Sequence, residues 1–317
     1  MIIGVPKEIK DNEGRVALTP HYAGLLIRAG HEVLVEEGAG RWSGYTNNGY
    51  TNAGATICNA ENVWVQAQMI VKVKEPWLSE WSLLREGIIV FAFFHFPVNL
   101  KLKALCDARG VRAIPYESIR LADGSRPILA AMSRIAGEIA ADVGAHYLRQ
   151  ENGGIGILLK DATATIIGAA GTVGMRAYEI LKPRICRVFA FDIVNNDRLG
   201  NDYRVSTPDD IAIALKNSHL VIGAAVNRDT GAPKLVTRNM VSNMPQKSVI
   251  VDVAIDEGGI SETSRPTTHS DPVYEDEDVI HYCVPNMPGA VPRSSTRALV
   301  DETFPYILKI ANGEKIL

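Results

Sequence analysis

The stretch ATIIGAAGTVGMRA, residues 164–177, decides the fold of this 317-residue chain. A β-type run at 164–167 leads into glycines 168, 171 and 174, and helix-compatible residues continue to Leu181. Small residues at such a turn let the backbone approach a pyrophosphate, and the helix that follows presents free N–H groups and a positive dipole. The stretch therefore predicts a strand, a phosphate-binding turn and a helix.

A second β-type run, Val188 to Phe191, leads to Asp192 within the segment FAFDI at 189–193 and completes the pattern of a dinucleotide site. An acid in this place holds the ribose hydroxyls and repels a 2′-phosphate, so it favours NAD over NADP, whereas nearby Arg198 weakens that preference. The glycine spacing is G-x-x-G-x-x-G, with Ala169 where the first glycine of G-x-G-x-x-G is expected. The residues predicted from this region to bind NAD are Gly168, Gly171, Thr172, Val173, Gly174, Asp192 and Arg198.

Composition and charge exclude several classes of protein. The chain is 46% hydrophobic and 22% charged with a net charge of −3, and its basic residues are scattered, so a nucleic-acid partner is not expected. No apolar stretch approaches the length of a membrane span, and the start MIIGVPKEIK lacks the features of a signal peptide. Four widely spaced cysteines without a C-x-x-C pair predict reduced thiols and no metal site. These features predict a cytoplasmic protein.

Short apolar runs alternate with helix-length segments along the whole chain, which predicts βα units on parallel sheets. Helical spacing over 127–150 predicts a long helix that carries the chain into a second domain, and a final helix is expected near 295–311. The predicted fold class is α/β, with two Rossmann-like domains, parallel sheets and an active-site cleft between them. We assign 1–127 with 293–317 to a substrate or catalytic domain, and 128–292 to an NAD-binding Rossmann domain.

Four segments outside the glycine loop carry side chains suited to chemistry, and each is expected to follow a β-type run, where open α/β sheets bind ligands. Three of them have a structural alternative: Lys74 as a surface lysine paired with Glu75, His95 as a hydrogen-bonded core histidine, and Asp256 as a turn-forming acid. The segments are GRVAL with Arg15, VKVKEP with Lys72 and Lys74, FFHFP with His95, and VDVAIDEGG with Asp252 and Asp256.

The order and spacing of these segments resemble the alanine dehydrogenase family, which also includes the nucleotide-binding subunit of membrane transhydrogenases. The similarity covers nearly the whole chain. It is carried by NEGRVALTP (12–20), KVKEP (72–76), His95, AMSRIAGEIA (131–140), the glycine loop, VDVAIDEGG (251–259), SRPTT (264–268) and YCVPNMP (282–288).

The resemblance implies a role for each matching residue. Arg15 and Lys74 resemble residues that hold the substrate carboxylate and carbonyl, His95 the general acid/base, and Asp256 a second catalytic acid. Asn286 resembles a contact to substrate and nicotinamide. Met132 resembles part of the substrate pocket, and Ser133 and Asp192 resemble cofactor contacts.

These residue types suit oxidative deamination of an amino acid, in which a hydride leaves Cα and water attacks the resulting iminium before ammonia departs. An imidazole exchanges protons near neutrality, and a planar guanidinium and a compact ammonium bind carboxylate and carbonyl oxygens. The leading hypothesis is an NAD-dependent L-amino acid dehydrogenase, with alanine and pyruvate as the pair, acting as a homo-oligomer on a small-molecule amino acid or 2-oxo acid.

Two alternatives remain open at the level of sequence. A saccharopine-type or opine-type dehydrogenase joins a 2-oxo acid to an amino acid by reductive condensation, and its Lys and His pair would look the same. A non-catalytic transhydrogenase-like subunit would hand hydride to a partner protein, but the presence of both Lys74 and His95 argues against it.

Overall fold

The structure, a computed structural model, describes residues 1–227 and 230–316. The chain divides into two compact units, which we call unit 1 and unit 2. Unit 1 comprises Met1–Met132 and Gly289–Leu317, and unit 2 comprises Ser133–Pro288.

Unit 1 contains a six-stranded sheet in which every neighbouring pair is parallel, with the strand order β3-β2-β1-β4-β5-β6. The order in which the strands are added to the sheet reverses between β1 and β4. At such a switch point, the carboxyl ends of parallel strands form a crevice that can bind a ligand. Its strands are β1 (Ile2–Val5), β2 (Glu32–Glu36), β3 (Thr56–Cys58), β4 (Met69–Val71), β5 (Ile89–Ala92) and β6 (Arg112–Pro115). Its helices are α1 (Pro20–Arg28), α2 (Asn47–Asn52), α3 (Ala60–Gln66) and α4 (Leu100–Ala108), joined by a last helix described below.

Unit 2 contains a seven-stranded sheet in the order β12-β13-β11-β10-β7-β8-β9, parallel except for the β12–β13 pair. Its strands are β7 (Thr163–Ile167), β8 (Arg187–Asp192), β9 (Tyr203–Val205), β10 (Leu220–Gly223), β11 (Val249–Asp252), β12 (Val273–Asp276) and β13 (Val279–Tyr282). Helices α6 (Thr172–Leu181), α7 (Pro208–Leu215) and α8 (Arg238–Val241) connect them.

Two long helices complete the chain. Helix α5 (Pro127–Tyr147) runs from the end of the unit 1 segment into unit 2, and α9 (Pro292–Ala311) belongs to unit 1. The sequence placed the end of α5 at residue 150, but a separate 3-10 turn at Gln150–Asn152 follows the helix, and Gly153 at φ +90° ends that turn. Helix α9 begins three residues before the predicted start because Pro292 occupies its first turn, where a missing N–H costs nothing.

The predicted α/β class with two Rossmann-like, parallel-dominated sheets is confirmed. The sequence analysis did not predict β3, β9, β12 or β13. The last two form a hairpin whose two turn residues, Glu277 and Asp278, both have positive φ. The acidic run EDED at 275–278 interrupts the alternation of apolar and polar residues that is typical of paired strands, so the sequence did not indicate this hairpin.

Candidate functional site

The turn after β7 is built on Gly168, which has φ +89°. A Cβ at this position would lie 2.5 Å from the backbone nitrogen of Ala225, so only glycine fits here. The sequence expectation located the irregularity of the motif at Ala169. In the structure, Gly168 makes the tight turn. Two residues separate it from Gly171, one more than in the usual G-x-G-x-x-G spacing.

The other two glycines have distinct tasks. A Cβ at Gly174 would lie 2.2 Å from the Gly168 carbonyl oxygen, so Gly174 permits α6 to pack against the loop. A Cβ at Gly171 would meet only that same oxygen at 3.4 Å, so this face of the loop is open. Gly171 is the N-cap residue of α6, and no side chain caps this end. The N–H groups at Thr172 and Val173 therefore begin a helix whose positive end is available to an anion.

Asp192 ends β8 beside this loop and is half-buried. Its Oδ2 accepts a hydrogen bond from the Ala170 amide at 2.8 Å, and its Oδ1 accepts one from the Val194 amide at 3.1 Å. The carboxylate is thus fixed at the edge of the open glycine face. The glycine cradle, the uncapped helix end and this acid together fit a dinucleotide.

The two remaining cofactor candidates lie on the flanks of α6. The exposed Arg198 forms an ion pair with Glu179 of α6, so its charge is not directed at Asp192. Ser133 is half-buried on α5, one helical turn before Gly137. A Cβ at Gly137 would lie 2.3 Å from the Val173 carbonyl oxygen, so α5 and α6 touch through backbone here and Ser133 shares that face.

The structure brings Asp256 and Asn286 together in unit 2. Asp256 is exposed on the 3-10 helix Val253–Glu257 that follows β11, and its Oδ2 accepts a hydrogen bond from the Asn286 amide at 3.1 Å. Asn286 adopts φ +54°, a conformation that needs such support. Buried Asp252, whose pKa is raised by burial, anchors the same loop by accepting from the Ile260 amide and the Ser264 hydroxyl.

Arg15 is buried in unit 1, in the connection between β1 and α1 rather than directly after a strand as expected. Its Nε donates to Glu13 Oε1 at 2.6 Å and its Nη2 pairs with Glu13 Oε2. Burial opposes ionisation of Glu13, but the Arg15 charge and hydrogen bonds outweigh it and lower the pKa of Glu13 to about 2. The Arg15 Nη1 also lies 3.2 Å from the Met132 sulfur, so two of the predicted substrate residues meet.

The backbone next to Arg15 is held by α9. The Val16 amide donates to Thr296 Oγ1 at 3.0 Å, and Thr296 Oγ1 lies 2.7 Å from Ser43 Oγ, which donates to the Gly14 carbonyl at 2.9 Å. The backbone on both sides of Arg15 is therefore held by two other segments of unit 1, α9 and the segment that contains Ser43.

Lys74 is buried, and the alternative of a surface lysine paired with Glu75 is wrong. The Glu75 carboxylate instead accepts from Lys10 Nζ at 3.0 Å. Burial lowers the pKa of Lys74 to about 8, assisted by the positive charges of Arg15 and Lys10. The neighbouring Lys72 is 1% exposed and paired with Glu8 and Glu80, so its role is to anchor the strand end that carries Lys74.

His95 lies just beyond β5 with φ +50°, and its side chain is 43% exposed, so the core-histidine alternative is wrong. Its backbone amide donates to Glu117 Oε1 at 2.7 Å, which supports the left-handed conformation. Its ring stacks near Phe93, with centroids 5.9 Å apart, and its Nδ1 faces Glu75 Oε2 at 3.7 Å. An accessible imidazole beside a buried carboxylate is suited to proton exchange.

Three acids of this site, Glu13, Glu75 and Glu117, were not predicted as functional residues. Glu13 and Glu75 adjoin predicted residues in sequence, so a search for partners of Arg15 and His95 at strand ends could have selected them. Glu117 reaches the His95 backbone from 22 residues away, and no sequence signal indicates that contact.

Other site types are limited by what the structure shows. Among residues 1–227 and 230–316, no cluster of three or more His, Cys, Asp or Glu side chains could hold a metal ion. Over the same residues, no helix combines the length and apolar character needed to cross a bilayer. All four cysteines are free thiols.

Two family models match the chain: "Alanine dehydrogenase/PNT, N-terminal domain" over residues 4–136 and "Alanine dehydrogenase/PNT, C-terminal domain" over 140–316. The chain belongs to the alanine dehydrogenase/PNT family. The family expected from the sequence motifs is thereby confirmed.

Curated relatives within the alanine dehydrogenase/PNT family include the alanine dehydrogenases of Bacillus subtilis, 46% identical, and Mycolicibacterium smegmatis, 41% identical. Each alignment covers 98% of this chain, with 86% and 88% of the relative. A solved L-alanine dehydrogenase structure matches with a TM-score of 0.93 and 39% identity, over 98% of this chain and 90% of that one. The transhydrogenase of Sinorhizobium meliloti, 24% identical with a TM-score of 0.88 over 98% of this chain and 94% of that one, shares the fold.

Proposed function

We propose that the chain is an NAD-dependent alanine dehydrogenase that interconverts L-alanine with pyruvate and ammonia. The observation that carries the proposal is the combination, in a chain 41–46% identical to alanine dehydrogenases, of a buried Arg15 and Lys74 pair with an accessible His95 in unit 1. The dinucleotide-compatible loop of unit 2 supports NAD as the cofactor.

Substrate binding is assigned to the two buried cations. The Arg15 fork, oriented by Glu13, binds the substrate carboxylate, and Lys74 binds the carbonyl oxygen of pyruvate. Both charges lie in a site shielded from water, where their attraction for a small anion is stronger than at the surface. Met132, against Arg15, contributes an apolar wall for a short side chain.

Proton transfer is assigned to His95. The glycine loop and Asp192 would hold NAD, whose nicotinamide would supply the acceptor for the hydride of the substrate Cα. His95 takes a proton from the water that adds to the iminium carbon and gives that proton to the nitrogen. As ammonia leaves and the ketone forms, His95 takes the remaining hydroxyl proton and passes it to solvent, so its own protonation state is restored. Asp256 and the Asn286 that it supports are proposed to act on the nicotinamide side, with Asp256 as a second acid. Ser133 is proposed as a further cofactor contact.

The experiment that tests the function measures NADH oxidation with pyruvate, glyoxylate and larger 2-oxo acids, each first with ammonium and then with lysine, ornithine or other amino acids. Oxidation that needs ammonium and is fastest with pyruvate is the expected result. Oxidation only with a second amino acid would replace the proposal with the condensing, opine-type activity. No oxidation with any pair, while NADH still binds, would favour the transhydrogenase-like alternative.

The remaining expectations are also proposals. The family resemblance supports a homo-oligomer, which light scattering coupled to size-exclusion chromatography tests. A cytoplasmic location is likewise a proposal.

A further inference from the structure

Glu75 and His95 lie at neighbouring strand ends of the unit 1 sheet. Strands β4 and β5 are parallel with Val71 opposite Phe91, and each site residue follows the end of its own strand. The carboxyl ends of adjacent parallel strands share one edge of the sheet. This register brings Glu75 Oε2 to 3.7 Å from His95 Nδ1.

One oxygen of the Glu75 carboxylate is hydrogen-bonded within the protein, and the other faces His95. Its side chain is 9% exposed, and Oε1 accepts from Lys10 Nζ at 3.0 Å. Oε2 is buried and accepts no hydrogen bond from any residue that the structure describes. A buried acceptor of this kind normally has a donor, and the facing imidazole nitrogen is placed to be one.

The charge state of Glu75 determines what it can do to His95. Burial raises the pKa of Glu75, but the His95 imidazole and Lys10 outweigh this and lower it to about 2. An ionised carboxylate only accepts hydrogen bonds, so it favours the imidazole form with hydrogen on Nδ1. The other charged groups near the pair are Lys74, on the strand end of Glu75, and Glu117, which binds the His95 backbone.

We propose that Glu75 is a positioning residue that fixes the ring orientation and tautomer of His95, so that Nε2 is the nitrogen that exchanges protons with the substrate. The present separation is longer than a hydrogen bond, as catalytic contacts often are before substrate binds. This inference rests on the proposed role of His95 as the acid/base.

The first measurement is the nitrogen NMR spectrum of histidine-labelled protein at alkaline pH, where neutral tautomers are resolved. We expect hydrogen on Nδ1 of His95 in the unsubstituted chain. Glu75→Gln, whose amide can donate as well as accept, should lose this preference, and Glu75→Asp should retain it in part. The spectrum needs no turnover, so it tests the pair even if alanine proves not to be the substrate.

The second measurement is steady-state kinetics of pyruvate reduction with ammonium. Glu75→Gln should lower kcat by at least about tenfold, less than the roughly 10⁴-fold loss caused by the analogous amide in a serine protease triad, with KM for pyruvate little changed. Glu75→Asp should recover part of kcat.

The matched control is Glu80→Gln, which removes another buried carboxylate of unit 1, one paired with Lys72 and the Trp77 amide rather than with His95. It should lower stability but leave the His95 spectrum unchanged. An unchanged His95 tautomer in Glu75→Gln would overturn the proposal. So would a loss of the His95 tautomer preference in Glu80→Gln, because the effect would then be a general structural one.

Discussion

At the scale of single residues, unit 1 holds the two cations proposed to bind substrate, Arg15 and Lys74, in different ways. Arg15 has a buried counter-ion in Glu13, whereas Lys74 is buried among the positive charges of Arg15 and Lys10. A paired guanidinium keeps a fixed charge and direction. An ammonium in a positive environment gives up its proton more easily, so Lys74 makes the site sensitive to alkaline pH.

The lowered pKa of Lys74 predicts an alkaline limit on activity. As the pH rises through about 8, the amine loses its proton and no longer attracts the oxygens of pyruvate, so kcat/KM for pyruvate should fall. In Lys74→Arg the charge persists and this fall should disappear. Lys74→Met should lose about 10²-fold or more in kcat/KM at every pH. The profile is measured at saturating NADH and ammonium.

The control for this profile is Lys103→Met, which removes an exposed lysine paired with Asp107 on α4. Its profile should match that of the unsubstituted chain. An alkaline limit in Lys74→Arg at the same pH as before would show that another group causes it.

The Glu13–Arg15 pair predicts a stability effect with a definite pH window. Glu13→Gln leaves the buried Arg15 charge without its counter-ion, so the free energy of unfolding near pH 7 should fall by about 3 kcal/mol. Because the folded-state pKa of Glu13 is about 2, below its ordinary value of 4.5, its contribution is complete above pH 4.5 and is lost as the pH falls through about 2.

Urea unfolding at a series of pH values measures this difference between the two proteins. The difference should shrink toward acid pH. A difference that stays constant from neutral to strongly acid pH would mean that Glu13 acts by packing and not by charge.

At the scale of elements, two glycines of the same loop are expected to have different tasks: Gly174 in folding and Gly171 in the proposed binding of NAD. Gly174→Ala places a Cβ 2.2 Å from the Gly168 oxygen, so it should lower the free energy of unfolding by about 1–3 kcal/mol. Gly171→Ala meets that oxygen at 3.4 Å and keeps an ordinary φ of −72°, so it should fold normally but weaken NAD binding by obstructing the pyrophosphate.

Isothermal titration calorimetry measures the NAD affinity of both variants, and thermal unfolding measures their stability. Each variant is the control for the other. Normal NAD affinity in Gly171→Ala would exclude the open face of the loop as the pyrophosphate site.

The sequence predicted elements best where one local pattern contains the whole signal. The strand, glycine turn and helix at 163–181 and the acid at Asp192 all lie within one βαβ unit, so spacing alone located them. Contacts between distant segments could not be predicted, because no local pattern shows which parts of the chain meet in the folded state. The hydrogen bonds from the His95 amide to Glu117 and from the Val16 amide to Thr296 are two examples. Lys74 was recognised as a candidate, but its burial depends on how β4 packs in the finished sheet.

At the scale of the whole molecule, NAD should raise the free energy of unfolding by mass action. At a hundred times its Kd, a ligand that binds only the folded state adds about 2.7 kcal/mol. We expect NAD to raise the unfolding temperature more than NADP does, since Asp192 disfavours a 2′-phosphate. In Asp192→Ala the shift with NAD should shrink more than the shift with NADP, and equal shifts with both nucleotides in the unsubstituted chain would remove Asp192 from the ribose site.

The hydrogen bond between the Val16 amide and Thr296 sets an order of events during synthesis. Unit 2 is one continuous segment and can fold as soon as it has emerged from the ribosome, whereas unit 1 needs both its early strands and α9. While unit 2 is being translated, Thr296 of α9 has not yet been synthesised, so the Val16 amide beside Arg15 lacks its hydrogen-bond acceptor. We therefore expect a nascent chain of this protein to complete unit 2, the proposed nucleotide-binding half, before unit 1, the proposed substrate-binding half.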